Sequence, residues 1–227
     1  MIRAAILLFP QIDQLDCTGP FEVLSRVPDM QVDLVAKTMD PIIDMKGLKL
    51  TPTADFKSAA QPDVLVIPGG YGQFPLMTDA LTIQWLQSVA TKATHFLFVC
   101  TGSLLAGMAG LLEGRRATTH WSAHHLLGLF GATPVDERVV HDGSVVTTAG
   151  VTGGIDGALY LAAQIAGEQV AQEIQLYMEY EPQPPFHAGT PKLAPPSVLS
   201  AVRDRAASIT EQRRVVSEAY ATRKSKR

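Results

Sequence analysis

The chain has 227 residues, 46% hydrophobic and 18% charged. That is enough apolar material for one large domain and too little charge for extended disorder. A formal net charge of −3 gives no reason to expect a nucleic acid or a membrane surface as partner, and the apolar runs are too short to cross a bilayer. Two cysteines and no cationic stretch ahead of an apolar h-region lead us to expect a reduced, cytoplasmic protein without disulfides.

In chain order, Ala4–Phe9 is a continuous apolar run of the kind buried on both faces of a parallel sheet. Pro10 ends it. Residues 11–20 read as a polar-to-glycine turn holding Asp13 and Asp16, with a short helix over Phe21–Val27. A second strand follows at Val32–Ala36, then a small hairpin between Ile42 and Leu50, broken at Lys46-Gly47. Val64–Ile67 is another buried strand and runs straight into Pro68-Gly69-Gly70-Tyr71-Gly72. The spacing predicts helices over Leu81–Ala90 and Leu104–Leu112, on either side of an apolar strand that ends at Val99-Cys100.

Arg116–Trp121 reads as a strand leading into a helix over Ala123–Leu129. Asp142-Gly143, between Arg138–Val140 and Val145–Thr147, is a strong hairpin signal. Helices are expected over Ile155–Ile165 and Val170–Tyr180. Six of the 15 prolines fall within 182–196, which should be extended. A closing helix over 197–227 then carries Val198, Val202, Ile209, Val216 and Tyr220 on one stripe. This tail holds eight of the 19 Lys and Arg and three of the 22 Asp and Glu, so residues 1–196 carry a net −8. Such a helix is expected to pack on the acidic body or on a second subunit, since it lacks the interleaved aromatics of a nucleic-acid binder. Alternating strands and helices give an α/β class over 1–227. The expected architecture is a doubly wound, mostly parallel sheet with helices on both faces, a flavodoxin-like sandwich.

Three strand ends carry chemistry. Cys100 closes an apolar strand at a sharp turn into a helix, where unpaired N–H groups and the helix dipole favour a reactive thiolate. The same residue could equally be an inert core cysteine. Gly69 and Gly70, with Tyr71 beside them, offer backbone N–H groups to a substrate or a developing oxyanion, or merely form a tight turn. Asp16 brings a carboxylate to the same rim, or caps the helix after it. Cys17 is expected to be a buried neutral thiol. His120, His124 and His125 lack the zincin pattern, and His120 is read as a structural cap and not a metal ligand.

Together, Leu7-Leu8-Phe9-Pro10, Leu15-Asp16, Thr18-Gly19-Pro20, Ile67-Pro68-Gly69-Gly70, Val99-Cys100-Thr101-Gly102-Ser103, Ala117-Thr118-Thr119-His120-Trp121 and Gly154-Ile155-Asp156 resemble the isonitrile (isocyanide) hydratases. These belong to the superfamily of PfpI-type proteases and class I glutamine-amidotransferase-like domains. Thr101 and Asp16 stand where much of that superfamily has histidine and glutamate, and Cys17 stands where the hydratases have leucine. The resemblance implies Cys100 as nucleophile, Asp16 as its acid/base partner and Thr101 as a polar helper. It implies a small-molecule isonitrile and water as reactants, a homodimer, and neither a metal nor an organic cofactor. The rival readings are a glyoxalase or deglycase acting on dicarbonyls, against which Thr101 counts, and a cysteine redox sensor or regulatory domain.

Overall fold

The structure is a computed structural model and describes residues 1–226. Seven strands form the main sheet: β1 (Ile2–Leu7), β2 (Met30–Ala36), β5 (Ala54–Asp55), β6 (Val64–Ile67), β7 (His95–Val99), β10 (Val139–Asp142) and β11 (Val145–Thr148). Their order is β10-β11-β7-β6-β1-β2-β5. All neighbours are parallel except β10 and β11, the antiparallel hairpin at one edge. Two small ribbons lie outside it, β3–β4 (Ile42–Ile43 with Lys49–Leu50) and β8–β9 (Arg116–Ala117 with Thr133–Pro134).

Two helical layers cover the sheet. One contains α1 (Gln14–Leu24), α5 (Gly153–Ala166) and α6 (Glu168–Tyr177). The other contains α2 (Gln73–Leu76), α3 (Ala80–Ala90), α4 (Gly102–Met108), a 3-10 helix (Trp121–Phe130) and α7 (Pro196–Lys224). The central strands β6 and β7 have almost every side chain buried, because helices pack on both of their faces. The architecture is therefore the doubly wound α/β sandwich that the strand pattern predicts.

The chain leaves β1 toward β2 and later returns on β1's other side as β6. The order reverses there, and in sheets of this type the carboxyl ends of the strands at such a reversal are where ligands bind. Here the loops after β1 and β6 are also tied to each other. Ile12 bridges Gly70, and Asp13 N–H donates to the Gly69 carbonyl at 3.1 Å. Gly70 has φ +115°, and a Cβ on it would lie 2.3 Å from Asp13 N. Only glycine allows so close an approach.

Three expectations are corrected. The expected turn over 11–20 is largely helix, since α1 begins at Gln14 and runs through Pro20. Pro20 removes one N–H from the ladder. Burial of Cys17, Gly19, Pro20 and Val23, with Gly19 and Pro20 closing on α5, outweighs that loss, so tertiary packing overrides the local breaker signal. The strand expected over Arg116–Trp121 shrinks to Arg116–Ala117, and the helix after it is of 3-10 type. The stripe on α7 is exposed at its start and half-buried from Val202 onward. Val216 and Tyr220 pack on the core, with Tyr220 5.4 Å from the Phe130 ring, while Val198 is exposed. The fully buried positions of α7 are Arg213 and Ser217. Residues 181–195 carry neither helix nor strand.

Candidate active site

Cys100 occupies the turn between β7 and α4 with φ +54°, a left-handed conformation that strains a non-glycine residue. The turn is over-determined by hydrogen bonds. Cys100 N–H donates to the Thr148 carbonyl at 3.2 Å, and Thr119 Oγ1 donates to the Cys100 carbonyl at 2.7 Å. Ser103 Oγ reaches back to the Thr118 carbonyl at 2.9 Å. This is the geometry of a nucleophile elbow, in which the backbone is forced round so that the side chain projects over the sheet edge. Cys100 as a whole is buried, with 5% of its residue surface exposed.

Asp16 lies in the first turn of α1, three residues beyond the N-cap Asp13, and is fully buried. It is not the helix cap. Its Oδ2 accepts the Gly69 N–H at 2.8 Å, while Oδ1 has no ordinary hydrogen-bond partner. The polar side chain that interacts with the carboxyl is the Cys100 thiol. A Cβ on Gly69 would stand 2.6 Å from Thr101 Oγ1 and 2.9 Å from Asp16 Oδ2, so that glycine is what allows the acid and the threonine to close on the same peptide.

The three backbone amides singled out in the sequence each have a partner. Gly69 N–H holds Asp16, Gly70 N–H donates to Thr101 Oγ1 at 3.3 Å, and Tyr71 N–H faces Met45 Sδ at 3.4 Å. The first two fix site side chains. The Tyr71 side chain is about half exposed.

Burial, reinforced by the nearby Asp13 charge, raises the Asp16 carboxyl well above the usual carboxylate range. Burial and the Asp16 charge also push the Cys100 thiol up. Two groups pull the other way, the Thr101 N–H and the Arg213 guanidinium. The sequence led us to expect a thiolate. Burial of this closed acid–thiol pair opposes that ionisation and works against the helix N-terminus, raising both groups above their ordinary ranges.

Cys17 is fully buried on α1, and burial pushes its thiol up to about 12, so it is an inert neutral group. His120 caps the 3-10 helix, with Nδ1 accepting from Ser122 N–H at 3.3 Å; burial and the neighbouring Arg213 depress it to about 4. His124 bonds the Val135 carbonyl at 3.0 Å. Among the described residues no three His, Cys, Asp or Glu side chains cluster closely enough to hold a metal ion. No helix among them is long and apolar enough to cross a membrane.

Sequence reasoning missed Arg213. It comes from α7, is 3% exposed, and donates to the Gly70 carbonyl at 2.7 Å, to Thr101 Oγ1 at 3.3 Å and to Gln73 Oε1 at 3.1 Å. Its position carried a signal. Arg213 falls between Ile209 and Val216 on the inward stripe, where a solvated charge would not stand. Two cavities, of about 370 and 380 Å³, lie away from this chemistry, one between α7 and the 3-10 helix and one beneath Lys37 and Phe56. Neither is lined by Cys100 or Asp16. The site is marked by its convergence of polar groups and not by its size.

The chain is 47% identical over 222 residues to the isonitrile hydratase of Pseudomonas putida, covering 98% of this chain and 97% of that one. A ThiJ/PfpI family protein from Pseudomonas syringae, solved by crystallography, superposes with a TM-score of 0.93 at 36% identity, covering 95% of this chain and 90% of its own. Drosophila melanogaster DJ-1beta shares the fold alone, with a TM-score of 0.72 at 20% identity over 80% of this chain and 99% of its own. Residues 2–164, from β1 into α5, match the model of the DJ-1/PfpI family, to which the chain therefore belongs.

Proposed function

We propose that the protein is an isonitrile hydratase, adding water to R–N≡C to give the formamide R–NH–CHO, with Cys100 as the covalent nucleophile. The observation that carries this reading is the fully buried, protonatable Asp16 against a strained elbow cysteine. It is joined by near full-length similarity to a protein named for that activity.

An isonitrile carbon is soft and divalent, and a cysteine sulfur is a soft nucleophile. In the first step the C–S bond forms as Asp16 delivers its proton to the same carbon and takes the proton of the Cys100 thiol. The product is the thioimidate R–N=CH–S–Cys. Water then attacks the thioimidate carbon; Asp16 takes a water proton and gives its own to the nitrogen. The C–S bond breaks as the new hydroxyl loses its proton by the same route to sulfur, releasing the formamide and restoring the thiol. All atoms come from substrate and water, and the scheme calls for neither metal nor organic cofactor. Burial suits Asp16 to this relay, because a carboxyl kept neutral can donate before it accepts.

A small apolar isonitrile suits a site so nearly closed. We further propose a homodimer, supported by exposed apolar side chains in the C-terminal third, and a cytoplasmic location, supported by two cysteines outside any disulfide. The test is incubation with one alkyl and one aromatic isonitrile. The isonitrile infrared band should disappear as formamide accumulates, with ¹⁸O from labelled water in the formyl group. Cys100→Ala should abolish turnover; normal turnover by that variant would reject the covalent scheme.

A further inference from the structure

We infer that Arg213 is a positioning residue of the thiol site: from the C-terminal helix it fixes the Thr101 hydroxyl as a donor beside Cys100 and sets a positive charge next to the sulfur. This rests on the hydratase reading for its kinetic arm and on the structure alone for its electrostatic arm.

A hydroxyl has two lone pairs and one proton. Thr101 Oγ1 accepts from the Gly70 N–H and from Arg213 Nη2, both at 3.3 Å. Both lone pairs are then occupied, so the hydroxyl can only donate, and no acceptor among the described residues takes its proton. Thr101 directly follows the nucleophile, so that proton is available to the substrate nitrogen or to the attacking water.

Arg213 can impose this because it is itself fixed at three points. Its Nε donates to Gln73 Oε1, and Gln73 is fully buried; its Nη2 also donates to the Gly70 carbonyl. Gly70 is thus gripped from both sides, its N–H by Thr101 and its carbonyl by Arg213. A planar guanidinium provides this fork, and a lysine ammonium cannot. Arg213 also lies outside residues 2–164, the stretch that matches the family. The closing helix therefore completes a site whose other parts belong to the shared domain.

The charged and titratable groups around the sulfur come from four directions. Asp16 on α1 and Asp13 before it disfavour the thiolate, and Arg213 on α7 and the Thr101 N–H favour it. His120 and Tyr71 face Arg213, and His120 is already neutral above about pH 4. Removing the arginine charge leaves Asp16 and Asp13 unopposed except by one amide, so the thiol must become harder to ionise.

The experiment measures alkylation of Cys100 by iodoacetamide against pH, located by mass spectrometry, alongside isonitrile hydration, in the unaltered protein, Arg213→Gln and Arg213→Lys. In Arg213→Gln the alkylation midpoint should move up by about one pH unit. Arg213→Lys should keep the midpoint close to its original position yet lose roughly tenfold in kcat with little change in KM, because charge survives and the fork does not. A merely structural anchor would leave the midpoint of any folded variant unmoved, which would overturn the electrostatic part. Full kcat in Arg213→Lys would overturn the positioning part; if Arg213→Gln does not fold, Arg213→Met, which also removes the charge, decides the electrostatic part by the same midpoint. Should the unaltered protein fail to hydrate isonitriles, the alkylation arm still decides the electrostatic claim and only the hydratase reading is lost.

Discussion

At Asp16, function and stability pull in opposite directions. A buried carboxyl whose pKa is raised in the folded state keeps a proton that the unfolded chain has already released. Between the unfolded value, near 3.9, and the raised folded value, the native state binds more protons, so stability falls as pH rises through that window. Asp16→Asn removes this penalty and still offers an oxygen to the Gly69 N–H. The variant should melt higher, by about 2–4 °C for a gain on the order of 1 kcal/mol, while hydration falls by roughly 10²–10⁴-fold for want of a proton relay. A calorimetric scan with an activity assay checks both; a lower melting temperature would show that Asp16 is ionised and stabilising in the native state. Gly69 gives the complementary case. Gly69→Ala puts a methyl 2.6 Å from Thr101 Oγ1 and 2.9 Å from Asp16 Oδ2, so it should cost at least tenfold in kcat even where the protein folds, because a small misplacement of reacting groups is expensive.

The elements around the thiol differ in how far the sequence revealed them. Strand β7, its elbow and α4 were legible because an apolar run, a cysteine and small residues specify that geometry locally. The Asp142-Gly143 hairpin was legible for the same reason, with Gly143 at φ +62°. Helix α1 was half hidden. Gly19 and Pro20 are breakers by propensity, and only the long-range contact with α5 makes them helical. The supports of the elbow were hidden too, since Thr119 and Thr148 reach Cys100 from 19 and 48 positions away and follow no periodic pattern. Thr119 now carries a prediction. Its hydroxyl donates to the Cys100 carbonyl inside the core, so Thr119→Val leaves that carbonyl without this donor and should destabilise the fold by about 1–3 kcal/mol. The strained φ at Cys100 should relax with it, and denaturant unfolding together with hydration rates would reveal both losses. An unchanged hydration rate in the folded variant would mean that the turn is held well enough by β11 alone.

Across the whole molecule, the reversal of strand order at β1 and β6 explains why the chemistry collects where it does, but not what covers the C-terminal third. Leu176, Tyr177, Phe186, Leu193 and Val198 all stand exposed on α6, the proline-rich segment and the start of α7, with Leu176 at 81% and Phe186 at 78%. Single exposed apolar residues are ordinary on a monomer, but five within 23 positions suggest a covered face. The first half of α7 bears on this as well. Its apolar positions do not reach the core of its own chain, whereas its second half delivers Arg213 into the thiol site. A second copy seated on the outer half would immobilise the helix that holds Thr101, and so couple association to catalysis. Sedimentation at micromolar concentration should therefore give twice the mass of the chain, and Phe186→Glu combined with Leu193→Glu should shift it toward the single-chain mass. Hydration should then fall with dilution more steeply in the double variant than in the unaltered protein, since Arg213 is best fixed when α7 is held from outside. A single-chain mass for the unaltered protein would reject this account, and the exposed residues would then be ordinary surface.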